Sequence, residues 1–189
     1  MSASSPDPCR VWRKLAQMNR LANHRLHSAC AGLSAEDYAA PRVGFFPSIR
    51  ATLNHILLVD RFYINALEGN RLDRAALNEA QGLVTLEALV AAQAQSDARL
   101  LALVDGLAPE GVVRTITVDR GARQQVDRMD DLMSHLFQHQ THHRGQVHAM
   151  LSSTNIAPPQ LDEFIVGDDA VARAADMAAL GWTEADLMR

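Results

Sequence analysis

Cysteine, strong charge and long apolar runs are all scarce in this chain, and each absence removes a class of function. Of 189 residues only Cys9 and Cys30 are cysteines. Neither belongs to a CxxC or other ligand spacing, so no cysteine metal site or thioredoxin-like motif is expected. On one helix the two would stand about 31 Å apart at 1.5 Å per residue and could not pair with each other. A reduced, cytoplasmic protein is the simplest expectation. The stretch "MSASSPDPCRVWRK" has no apolar h-region and does not read as a signal peptide. No apolar run approaches the ~18 residues of a membrane span. The formal net charge is −4 and there is no Lys/Arg-rich run, which leaves no general attraction to phosphate backbones. Neither nucleic acid nor membrane is an expected partner. Internal repeats and low-complexity segments are also missing.

What is present is a helical protein of one domain, 1–189, with 48% apolar residues. Val11, Leu15, Met18, Ala22, Leu26 and Ala29 repeat at helical spacing, which predicts a first helix over 8–32 with that stripe as its core face. Residues 33–47, with Pro41, Gly44 and Pro47, read as a loop. Ser48 is a cap for a second helix over 48–68, closed by Gly69. This helix is apolar around most of its girth. Residues 69–84 read as a polar connection with some local helix, and Thr85 opens a third long helix that ends in a glycine. In "VVRTITVDRGARQQV", β-branched and polar residues alternate around Asp119–Gly121, the pattern of a small hairpin. A fourth helix is predicted over 127–153, with Pro158 and Pro159 breaking the chain beyond it. Residues 168–189 read as a C-terminal extension of one or two short helices, with Thr183 as a cap. The fold class expected is all-α: a four-helix bundle with a hairpin before its last helix. Because the connections differ in length, simple up-down-up-down order is not assured.

Five of the eight histidines fall in "HLFQHQTHHRGQVH", residues 135–148. At 100° per residue, with His139 at 0°, the apolar arc of the fourth helix runs from about 20° to about 120°. His143 lies inside it and His139 at its edge. His135 lies farther round, as a rim residue, and His148 on the opposite face. Imidazoles four residues apart can reach one metal. On the second helix His55 is embedded in an apolar arc. It is the natural third ligand, although a lone core histidine is more often packing. The alternative is a histidine-rich surface that merely titrates near pH 6.5, and His24, His27, His142 and His148 are assigned to that group. There is no HExxH motif to supply a base, and Asp60 points about 140° away from His55 around the helix. Gln146 can hydrogen-bond a ligand or substrate, or merely line the rim. Arg144 faces away from the histidine pair and is expected to meet an acid on a neighbouring helix or subunit.

Four stretches resemble the DinB-like family of bacterial metal-binding four-helix bundles: "MNRLANHRL" (18–26), "SIRATLNHILLVDRFY" (48–63), "LFQHQTHHRGQVHAML" (136–151) and "PPQLDEF" (158–164). The third is the most specific, and the resemblance spans about residues 10–166. It implies His55, His139 and His143 as ligands of one divalent metal, a helix order other than simple up-down-up-down, and commonly a homodimer. Imidazole ligation suits zinc, nickel, copper or iron rather than magnesium or calcium, and availability makes zinc the first expectation and nickel the second. Leu53, Leu57, Ile64 and Phe137, which lie off the expected core arcs, also point to a homodimer. A three-imidazole metal keeps an open position, which supplies activated water for hydrolysis or holds a thiolate for transfer. The reading is therefore a metal-dependent hydrolase or thiol transferase acting on a small thiol or electrophile. A non-catalytic metal-binding structural or stress-response protein is the alternative. An accessible pocket over the metal favours the enzyme, and a fourth protein ligand favours the alternative.

Overall fold

The computed structural model describes residues 7–71, 74–162 and 166–188. The first six residues and the Glu163–Phe164 end of the PPQLDEF stretch lie outside them. Four long helices form the bundle: α1 (Arg10–Cys30), α3 (Ile49–Leu67), α5 (Leu86–Asp105) and α7 (Met129–Leu151). Short helices α2 (Ala35–Ala39), α4 (Arg74–Gln81) and α6 (Pro109–Val112) occupy the connections. Strands β1 (Thr115–Asp119) and β2 (Gln124–Arg128) pair antiparallel before α7. A 3-10 turn, Gly167–Asp169, leads to α8 (Ala170–Leu180) and α9 (Glu184–Met188).

Local chemistry sets the boundaries. The Ser48 hydroxyl accepts from Ala51 N–H at 3.1 Å, and Thr85 accepts from Ala88 N–H at 3.3 Å. Each satisfies an amide that the first helical turn leaves without a partner. Gly69, at φ 81°, stops α3 in the left-handed region that glycine adopts without strain. Gly121 has the same φ at the hairpin tip, and a Cβ there would also collide with the Arg74 guanidinium. The fourth helix starts two residues later than expected because Asp127 and Arg128 pair with β1. Thr183 does cap α9, trading hydrogen bonds with Asp186.

Each long helix packs against two of the others. α1 lies against α5 and α7, and α3 lies against the same two. The first two long helices of the chain are therefore diagonal to each other, which departs from up-down-up-down order as expected. Packing on both sides explains the apolar surplus of the second long helix. Leu53 joins Leu89, Leu57 joins Ala92, and Ile64 joins Leu100 and Val104, all inside one chain. Phe137 is 7% exposed and stacks on Trp12 of α1 at 6.4 Å. These residues thus supply no ground for a second subunit.

The stripe expected on α1 is only partly its core face. Val11 is 53% exposed, whereas Asn19 and Asn23 are buried. Buried asparagines need partners, and both donate to the Asp97 carboxylate of α5 while accepting from Arg144 of α7. Among the described residues Arg144 forms no direct ion pair, a correction to the one expected: it reaches Asp97 through this amide pair and feels the buried Asp60 charge at longer range. Burial lowers the Arg144 pKa to about 10, which still leaves it charged. On α1, Leu21 and Ala22 are covered by Met177 and Leu187 of the C-terminal extension. Arg25 clamps that extension through Asp176 at 2.6 Å. Among the described residues no helix is long and apolar enough to cross a membrane.

Candidate metal centre

Three side chains that are far apart in sequence converge where α3 meets α7. His55 comes from α3, and His139 and His143 come from successive turns of α7. Their potential ligand atoms all lie within 4.8 Å of one another. His55 Nε2 and His139 Nε2 are 3.0 Å apart. Two nitrogens about 2.0–2.1 Å from one tetrahedral ion would be separated by about 3.3 Å, so the donor set fits a metal without rearrangement of the helices. Zinc-like ions also need neutral imidazoles, and the surroundings keep them neutral. Burial, with the nearby His143 ring second, lowers the His55 pKa to about 4. Burial, then His143 and His55, lowers His139 to about 3. His143 is also lowered, chiefly by burial, and Gln146 partly opposes the shift.

Gln146 determines which nitrogen of His143 is available. Its Oε1 lies 2.7 Å from His143 Nδ1, and an amide oxygen can only accept, so Nδ1 carries the proton. The Nε2 lone pair is left for the centre, the usual way a hydrogen bond orients a metal-binding imidazole. The Gln146 amide nitrogen in turn contacts His142 Nε2 at 3.1 Å. The network on the far side of α7 holds the helix in rotation. Arg144, next to His143, is tied to Asn19 and Asn23 of α1, which turns the histidine face toward α3.

Phe46, in the loop before α3, covers the cluster. Its ring lies 4.3 Å from that of His55 and 5.5 Å from that of His143. Sequence reasoning treated 33–47 only as loop and missed this wall; the paired phenylalanines next to a helix cap were the available signal. His135 is exposed, as expected of a rim residue, and packs on Tyr63 at 5.0 Å. His142 is also exposed, whereas His148 and His24 are half-buried. His27 departs from the solvent-titrating group to which it was assigned. It is buried, and its pKa falls to about 3 because burial, then the Arg20 charge, disfavours protonation. Asp60 does not reach the cluster. It is fully buried and accepts from Gln93 at 2.7 Å.

The sequence around this cluster matches a known family: the DinB family model covers residues 1–170 of the 189. The chain belongs to the DinB family. No curated protein matches it. The DinB match takes in all four bundle helices and the hairpin, and it ends at the start of α8. Next to the DinB histidine cluster a cavity of about 540 Å³ is lined by His139, His135, Tyr63, Phe62, Arg74 and Arg120, with apolar residues of α3 and α4. Arg120 donates to the Tyr63 hydroxyl at 2.9 Å, and its guanidinium lies 4.8 Å from the Phe62 ring centre. The hairpin that precedes α7 is what brings Arg120 to this cavity.

Proposed function

We propose that this DinB-family protein is a metal-dependent enzyme acting on a small molecule. His55, His139 and His143 hold one divalent transition metal per chain, with zinc the first choice and nickel the second. The observation that carries the reading is an incomplete ligand set beside a cavity. Among the described residues no further His, Cys, Asp or Glu joins the three, and His139 itself lines the 540 Å³ space. A structural site would be closed by a fourth protein ligand. When bound, the metal supplies Lewis acidity at its open position, for hydrolysis or for thiol transfer.

The chain's own residues have separable tasks in this reading. Gln146 keeps the His143 proton on Nδ1. Phe46 excludes water from one side of the cluster. Arg120, steadied by Tyr63, offers a cation to an anionic or strongly polar part of the substrate. His135 is an imidazole in the cavity wall that is free of the three-histidine cluster, and it is suited to hold or pass a proton.

Metal analysis of untagged protein, followed by a screen of small thiols and electrophiles with the zinc- and nickel-loaded forms, tests the reading. The expected result is metal-dependent turnover that is abolished in His55→Ala and reduced in kcat in His135→Ala. Tight metal binding with no turnover of any substrate would instead favour a non-catalytic metal-binding role.

A further inference from the structure

A second cavity, of about 770 Å³, lies between α1, α2 and the N-terminal ends of α3 and α5. It shares no lining residue with the histidine cluster or with the cavity beside it. Its size falls within the range of small-molecule sites.

Two polar groups in its wall have no hydrogen-bond or ion-pair partner among the described residues. The Tyr38 hydroxyl is buried without a hydrogen bond, and the residue is 4% exposed. Burying a hydroxyl in this state is unfavourable unless something else supplies its partner. Besides burial, the groups that act on its ionisation are Cys30, Arg50 and Glu87, and all three line the same cavity. Tyr38 is itself one of the residues that line the cavity. Arg50 is half-buried and forms no ion pair among the described residues. Arg20, already paired with Asp97, and His24 and His27 also line the cavity, but most of its surface is apolar, with Leu33, Leu86 and Val90 among the side chains.

These features define a ligand. An unpaired guanidinium calls for one anionic group, and the hydroxyl needs an acceptor close to it. Glu87 in the same wall disfavours a second negative charge. The apolar wall calls for a hydrocarbon body. We propose that this cavity binds an amphipathic monocarboxylate, with its carboxylate on Arg50 and Tyr38 and its chain along Leu33, Leu86 and Val90. The site is independent of the metal centre.

Titration calorimetry of the full chain with octanoate, octanol and octylamine tests this, with and without zinc. Octanoate is expected to bind at least about tenfold more tightly than either of the others, because a charge-assisted hydrogen bond is worth about that factor or more. Arg50→Gln should weaken octanoate about tenfold and leave octanol unchanged. Tyr38→Phe should weaken octanoate about fivefold without lowering Tm, since it removes a hydroxyl that has no partner in the fold. Zinc affinity should be unaffected in both variants. Equal binding of octanol and octanoate, no octanoate binding at millimolar concentration, or indifference to both substitutions would overturn the proposal. Loss of octanoate binding in His55→Ala would also overturn it, by showing capture at the histidine centre.

Discussion

Replacing His55 by alanine separates a built three-histidine centre from a histidine-rich surface. His55 lies 84 residues before His139 in the chain, yet their Nε2 atoms are 3.0 Å apart. Binding of zinc to a four-ligand structural site is worth roughly 10–16 kcal/mol at neutral pH, or about 2.5–4 kcal/mol per ligand. At 1.4 kcal/mol per factor of ten, loss of one imidazole should weaken zinc roughly 100-fold to 1,000-fold. His139→Ala and His143→Ala should behave alike. His148→Ala should change affinity less than about threefold, because its ring is absent from the cluster. His142→Ala should have a small or intermediate effect, since it supplies no ligand and meets the centre through Gln146 and an edge contact with the His143 ring at 4.9 Å. Competition against a chelator of known affinity measures each variant, with far-UV circular dichroism confirming that the helices persist. If His55→Ala binds zinc as the parent does, or if all five substitutions weaken it by similar modest factors, the three-histidine geometry is wrong.

Gln146→Leu should leave all three ligands in place but release the His143 tautomer. Zinc affinity should fall about 10- to 100-fold, and an unchanged affinity would show that the amide orients nothing. Arg144→Met should destabilise the fold by about 3 kcal/mol or more in urea denaturation, because Asp60, Asp97 and the asparagine pair lose their buried cation. A change below about 1 kcal/mol would refute that account. Asp60 carries a pH signature. Burial, then the charge of Asp97, raises its folded pKa to about 7, well above the unfolded value near 3.9. The unfolded chain thus loses this proton near pH 4 and the folded chain only near pH 7, so Asp60 makes stability fall as pH rises through that window. Denaturation from pH 4 to pH 8 should show a shallower fall for Asp60→Asn than for the parent, and equal slopes would contradict the shift. Phe137→Ala should lower stability by about 3 kcal/mol through a cavity against Trp12, measured by thermal unfolding. A change within about 0.5 kcal/mol would mean that the ring is not core.

The helices, their caps and the hairpin follow from the chain alone because they depend on neighbours a few residues away. Ser48 and Thr85 cap in place, and alternation around Gly121 marks the strands. The i,i+4 spacing puts His139 and His143 on one face whatever surrounds the helix. His55 also emerged from periodicity and resemblance, since an imidazole within an apolar arc has few reasons to be there. Other features depend on which helix lies next to which, and a single helical wheel cannot show that. Phe137 sits at about 160° on α7 and looked unpartnered because the wheel does not show α1 packed on that side. Asn19 and Asn23 are polar side chains, yet they are core residues because Asp97 and Arg144 arrive from two other helices to satisfy them. Phe46 covers the cluster, and Arg120 reaches the adjoining cavity, through loop and hairpin placement that no periodicity encodes. Local backbone physics determined the elements and the faces they present. Only the bundle order, which pairs α3 with α7 and α1 with both α5 and α7, decided which of those faces found a partner.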